Sequence, residues 1–188
     1  MYGKLLQDPA VFLFLLRIDN DLANECCKGG CRNDECCKGT LHVADYPRKP
    51  RGCPPSVEDA YSWRYSFTCG RCGLRTTPPS VRFLYRRLYV AAVVLLASPP
   101  AGGSVRHLCE QLGIPRRTLV RWRQWWTQEL PSLEFWTGAR TRFMPPLVVE
   151  QLPLSLLDRF DAPDPSGRLA QALCFLSPVS IFPYPKVK

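Results

Sequence analysis

The chain has 188 residues, 46% of them hydrophobic, and carries 25 Lys plus Arg against 16 Asp plus Glu, a formal net charge of +9. That apolar content excludes wholesale disorder despite 19 prolines, and the length holds one or two compact domains. Neither the apolar run at 10–16 nor the one at 90–97 approaches the ~20 residues a bilayer demands, and no small-residue cleavage site follows the first; a cytoplasmic location without membrane insertion is therefore expected.

Four stretches of different character follow one another. Residues 1–24 predict an amphipathic helix with Leu5, Leu6, Val11, Phe12, Leu15 and Leu16 on its apolar side. Residues 25–80 are rich in cysteine, with Cys26, Cys27, Cys31, Cys36, Cys37, Cys53, Cys69 and Cys72. In a reducing compartment such clustering points to metal rather than to disulfides. The cleanest pair is Cys69-Gly70-Arg71-Cys72-Gly73, in which two thiolates on one tight turn can reach a common tetrahedral ion. The alternation of Tyr61, Trp63, Tyr65 and Phe67 predicts a strand leading into it.

Two further thiolates must come from upstream, where the chain holds more candidates than it needs. Cys37-Lys38-Gly39 has the same turn chemistry as Cys72-Gly73 and precedes a strand-like run at 41–44, so Cys31 and Cys37 are the first choice and Cys27 and Cys36 the alternates. Cys26 and Cys53 read as structural thiols, and His42 as a packed side chain. Without a His or carboxylate set around an open coordination position, the expected role of the zinc is structural. Between the two knuckles, Tyr46-Pro47-Arg48-Lys49-Pro50-Arg51-Gly52 predicts a stiff basic arm whose Arg48, Lys49 and Arg51 suit a phosphate backbone or a minor groove.

Residues 81–97 predict a single helix with Phe83, Leu84, Leu88, Val93 and Leu96 inward, and with Arg82 and Arg86 in its early turns as DNA contacts. Ser104 caps a second helix over 105–112, and Gly113-Ile114-Pro115 breaks it from a third that runs to about 130. The pair satisfies helix-turn-helix spacing, with Leu108 and Leu112 inward, Cys109 in the small slot, Gly113 in the left-handed turn, and Ile114, Leu119 and Trp122 closing the wedge. Side chains the wedge does not use, Arg116, Arg117, Val120, Arg121 and Gln124, are the expected base readers, because Arg forks onto guanine and Gln onto adenine. Residues 48–123 hold fourteen Lys plus Arg against Glu58, Asp59 and Glu110, a net +11, so one segment carries the whole positive field. Residues 131–188 read as a proline-rich tail with short helices at 152–160 and 168–176.

The resulting fold class is α+β: a small zinc ribbon, a three-helix homeodomain-like unit and short tail helices. It resembles the DNA-binding front end of bacterial insertion-sequence transposases and the small accessory proteins of mobile elements. The likeness rests on Cys69-Gly70-Arg71-Cys72, on Arg75-Thr76-Thr77-Pro78-Pro79-Ser80 and on residues 104–126. It implies binding of double-stranded DNA at element ends or operators. One departure matters: the acids behind position 130 are Glu134, Glu150, Asp158, Asp161 and Asp164 in a proline-broken stretch of 58 residues, whereas an RNase-H-like catalytic core takes ~100 or more. The chain thus reads as a recognition half, an accessory or regulatory protein and not an enzyme. A zinc-scaffolded interaction protein, using the tail to form a homodimer or hold a partner protein, is the alternative reading. A small zinc-dependent hydrolase or nuclease is a third, against which stands the missing His/Glu constellation.

Overall fold

The computed structural model describes residues 2–33, 37–84, 87, 89–98, 109–110 and 112–181. After a 3-10 turn at Tyr2–Gln7, helix α1 spans Pro9–Lys28. Asp8 caps it by accepting the Ala10 N–H at 2.9 Å, and Pro9 sits in the first turn, where no N–H is needed. Val11, Phe12 and Leu15 are buried as the periodicity predicts. The helix continues beyond residue 24 and so carries Cys26 and Cys27 into the cysteine-rich part.

That part contains β1 (Leu41–Val43), β2 (Tyr46–Pro47), the one-turn α2 (Glu58–Tyr61), β3 (Trp63–Arg64), β4 (Phe67–Cys69) and β5 (Arg75–Thr76). An antiparallel sheet runs in the order β1-β4-β5, with Leu41 opposite Cys69, Val43 opposite Phe67, and Phe67 opposite Thr76. A two-stranded ribbon pairs Tyr46 with Arg64. The strand expected over 61–67 is thus divided: Tyr61 closes α2, where its hydroxyl donates to the Phe12 carbonyl at 2.8 Å. The buried core of the three-stranded sheet is only Ala23, Cys26, Leu41, Phe67 and Cys69.

Further helices among the described residues are α3 (Ala91–Ala97), α4 (Arg116–Gln124), α5 (Glu134–Ala139), α6 (Leu154–Leu157) and α7 (Pro165–Leu176), and residues 109, 110 and 112 are helical as well. Every residue of α3 is buried, which makes it the central helix of the body. Beyond Gln124 the third helix goes on through a π-type turn at Trp125–Glu129 and a 3-10 turn at Leu130–Ser132, burying Trp125, Trp126 and Leu130. One hydrophobic core runs from Leu6 and Phe12 through α3 and Trp122 to Leu173 and Val179. All four stretches separated by composition therefore contribute to one interior, the cysteine-rich one through Val57 and Tyr61. The tail belongs to it as well: Leu156, Leu157, Leu169, Leu173 and Leu176 are buried within the chain, while Met144, Val148 and Leu154 are exposed.

The single helix expected over 81–97 is not formed. Among the described residues of this stretch only Ala91–Ala97 is helical, whereas Phe83 and Val90 form an antiparallel bridge and the Ala91 N–H donates to the Arg82 carbonyl at 2.8 Å. A buried polar hub explains the difference. Arg82 Nε donates to Asp19 Oδ2 at 2.7 Å, and the same carboxylate accepts the Ser80 hydroxyl and the Val81 N–H, each at 2.6 Å. The Ser80 hydroxyl also accepts the N–H groups of Arg82 and Phe83, at 3.1 and 3.2 Å, and such local bonds compete with helix formation. Arg82 further donates to the carbonyls of Ala60 and Trp63. It joins α1, α2 and β3 to the body.

Candidate nucleic-acid interface and metal centre

The upper end of the β1-β4-β5 sheet is built by two turns. In one, Gly73 donates back to the Cys69 carbonyl at 2.9 Å; in the other, the Gly70 N–H donates to the Thr40 carbonyl at 3.0 Å and binds the two turns together. Gly39 touches this junction, and a Cβ placed there would come within 2.3 Å of Cys69 Sγ. Only a residue without a side chain lets the two turns approach so closely.

The sulfurs of Cys31, Cys37, Cys69 and Cys72 consequently lie within 4.8 Å of one another. Cys31 Sγ is 3.5 Å from Cys72 Sγ, and Cys37 Sγ is 3.7 Å from Cys69 Sγ. Four thiolates about 2.3 Å from one ion at tetrahedral angles stand about 3.8 Å apart, so the donor set fits a closed zinc site. The four thiols differ: the Leu74 N–H holds the Cys72 thiol down at about 6 and the N–H groups of Cys72 and Arg71 hold Cys69 below its ordinary range, while burial and the neighbouring thiols push Cys31 and Cys37 up. Of the alternates, Cys27 points its thiol at the Leu41 carbonyl, 3.9 Å away, and Cys36 lies outside the described residues. Cys26 is buried in the sheet core, and Cys53 is half-buried against the body.

In the helical part, Gly113 adopts φ +60°, the left-handed turn for which glycine is suited, and the Ile114 N–H donates to the Cys109 carbonyl at 2.9 Å. Ile114, Leu119 and Trp122 are buried, while Cys109 and Leu112 pack partly buried against the same core. Tyr89 meets the Trp122 ring edge to face at 5.0 Å. Ser104 and Leu108 fall outside the described residues. With Leu119 and Trp122 inward, the opposite face of α4 presents Arg116, Arg117, Val120, Arg121 and Gln124, all exposed.

The basic segment divides. Lys49 and Arg51 are exposed. Arg48 is half-buried and donates from Nη2 to the Arg87 carbonyl at 2.8 Å, with its guanidinium 5.5 Å from the Phe83 ring centroid. The segment is not a free arm: β2 pairs with β3, the Arg48 N–H donates to the Ser62 carbonyl at 2.7 Å, and the Val90 N–H donates to the Arg51 carbonyl at 3.1 Å. Arg82, expected as a DNA contact, turns inward instead. At 1% exposure and bound to Asp19, it cannot touch a phosphate. Arg86 lies outside the described residues.

Two residues outside the expected contact set stand beside α4. Arg87 and Glu129 line an open cleft together with Arg51, Arg121 and Gln124. Glu129 sits in a π-type turn, and the Arg87 N–H donates to the Leu84 carbonyl at 3.2 Å.

Comparison with known families agrees with this geometry in one respect. Residues 83–133 match the family model of a homeodomain-like domain, so this part of the chain is of the helix-turn-helix class, which suggests DNA binding. No curated protein and no solved structure matches the chain. Among the described residues, no helix is long and apolar enough to cross a membrane.

Proposed function

We propose that this protein binds double-stranded DNA sequence-specifically, placing α4 in the major groove. Arg116, Arg117, Arg121 and Gln124 read base edges there, Val120 makes apolar contact, and Lys49 and Arg51 hold phosphates. Cys31, Cys37, Cys69 and Cys72 hold one structural zinc, which makes the β1-β4-β5 sheet a zinc ribbon whose metal supplies folding energy. The role is that of a transposase-related accessory or regulatory protein, as the resemblance of the recognition segments to mobile-element proteins implies.

One observation carries the reading. Within a segment that matches a homeodomain-like domain, the third helix buries its wedge residues and leaves exposed the side chains suited to base edges. Selection of bound duplexes from a random pool tests it. A convergent motif that Arg117→Ala relaxes at one position is the expected result, and a pool that never converges refutes sequence-specific recognition.

A further inference from the structure

The cleft beside α4 has a volume of about 570 Å³, and its cationic walls come from parts of the chain far apart in sequence. Arg51 belongs to the loop after β2, Arg87 to the turn before α3, and Arg121 and Gln124 to α4, with Glu129 as the single acid among the lining residues. Tyr89 and Trp122, locked edge to face, contribute to the same wall. Arg51 and Arg121 are exposed and form no ion pair among the described residues. Guanidiniums converging on one cleft repel one another, and an anion that enters removes that cost.

The cations are presented on fixed supports. The Arg51 main chain is tied to Val90 by a 3.1 Å hydrogen bond, and the Arg87 guanidinium lies 4.7 Å from the Trp125 ring centroid. Arg121 stands on α4, one position before the buried Trp122. Planar guanidinium forks match phosphate oxygens, and a fixed main chain leaves only side-chain rotation to be lost on binding. An open cleft of about 570 Å³ has room for a sugar–phosphate segment of a nucleic-acid strand, whereas a lone phosphate takes up a small part of it.

We infer that this cleft receives one phosphodiester linkage of the DNA strand flanking the groove that α4 enters, held between Arg51 and Arg121 with Arg87 behind it; Arg121 thereby serves the backbone and leaves base reading to Arg116, Arg117 and Gln124. The inference rests on the proposed groove binding and extends it to a specific backbone seat. Glu129 acts as a counterweight: its carboxylate repels the same phosphate and weakens the hold on any duplex.

A scan of single neutral methylphosphonate linkages along a selected duplex tests the seat, with wild-type protein, Arg51→Ala and Glu129→Gln. One linkage should weaken wild-type binding when neutralised but leave Arg51→Ala nearly unaffected, because both changes remove the same contact. Arg51→Ala should also flatten the slope of log affinity against log salt by about one. Glu129→Gln should raise affinity. In a second arm, inorganic phosphate and a nucleoside monophosphate are compared with chloride at equal ionic strength; competition beyond that of chloride would give the cleft to a small free anion and overturn the strand assignment. Additive losses at every linkage, with the Arg117-dependent site preference intact, would remove the seat while leaving groove binding in place. A random pool that yields no selected duplex would remove the groove reading and the seat together.

Discussion

The three-stranded sheet and the helical body are stabilised by different means. The sheet buries Ala23, Cys26, Leu41, Phe67 and Cys69, and little else, and gathers four sulfurs at one end. The body buries three tryptophans completely, surrounds α3 on all sides and closes on the Asp19–Arg82 pair. A unit with so small an apolar core requires a cross-link, and a tetrathiolate metal site is one. A body with a continuous core can instead enclose a charge pair, provided every donor finds an acceptor.

The largest difference between sheet and body should follow removal of the metal. Chelation at neutral pH should release about one zinc per chain and melt the sheet while much of the helical circular dichroism survives; the apparent binding energy of structural zinc in small peptides, about 10–16 kcal/mol, sets the scale. A helical signal that collapses along with the sheet would show that the body depends on the metal as well.

Next in size is the body's own lock. Asp19→Ala strands the Arg82 guanidinium in the interior, and loss of one partner of a buried pair costs about 3–5 kcal/mol. Urea denaturation should show the loss in the body's transition, and a change below about 1 kcal/mol would mean that water reaches Arg82. Gly39→Ala attacks the sheet from inside. Its Cβ, 2.3 Å from Cys69 Sγ, must displace the sulfur, with an overpacking cost of about 1–3 kcal/mol that should appear as weakened zinc affinity in a chelator competition.

The smallest effects on stability fall on the exposed face and sharpen the contrast between inner and outer arginines. Arg117→Ala should leave the urea midpoint nearly unchanged and still weaken a selected site by about tenfold or more, since a bidentate Arg–guanine contact contributes about 1–3 kcal/mol of discrimination. Lys49→Ala should weaken all sequences alike and lower the salt slope by about one, as measured by fluorescence anisotropy in a salt series. If both variants lost affinity uniformly, α4 would be holding the backbone instead of reading bases.

The two classes of arginine also show how far sequence reading reaches. Arg82 and Arg117 carry the same charge within the same +11 segment, and nothing local separates them. Their fates differ because a buried carboxylate, 63 residues earlier, meets Arg82, and among the described residues none meets Arg117. The Thr77-Pro78-Pro79-Ser80 stretch offers a similar lesson. Ser80 binds Asp19, and the Pro78 carbonyl accepts from the buried Arg64 at 2.6 Å, so this segment serves the interior. Arg64 donates in addition to Ser180, 116 residues away, and so draws the end of the chain into the same network.

What the sequence determined alone is what short-range geometry specifies. A C-x-x-C pair with a following glycine must turn tightly, and Gly113 with Ile114, Leu119 and Trp122 must form a wedge, because spacings of two to eight residues leave the backbone few alternatives. The tertiary structure alone decided which upstream cysteines join that pair, that Arg82 turns inward, that the tail helices complete the core, and that Arg51, Arg87 and Arg121 converge on one cleft. Each of these joins residues tens of positions apart. Their energies depend on burial and on the partner waiting there, and a local pattern carries neither.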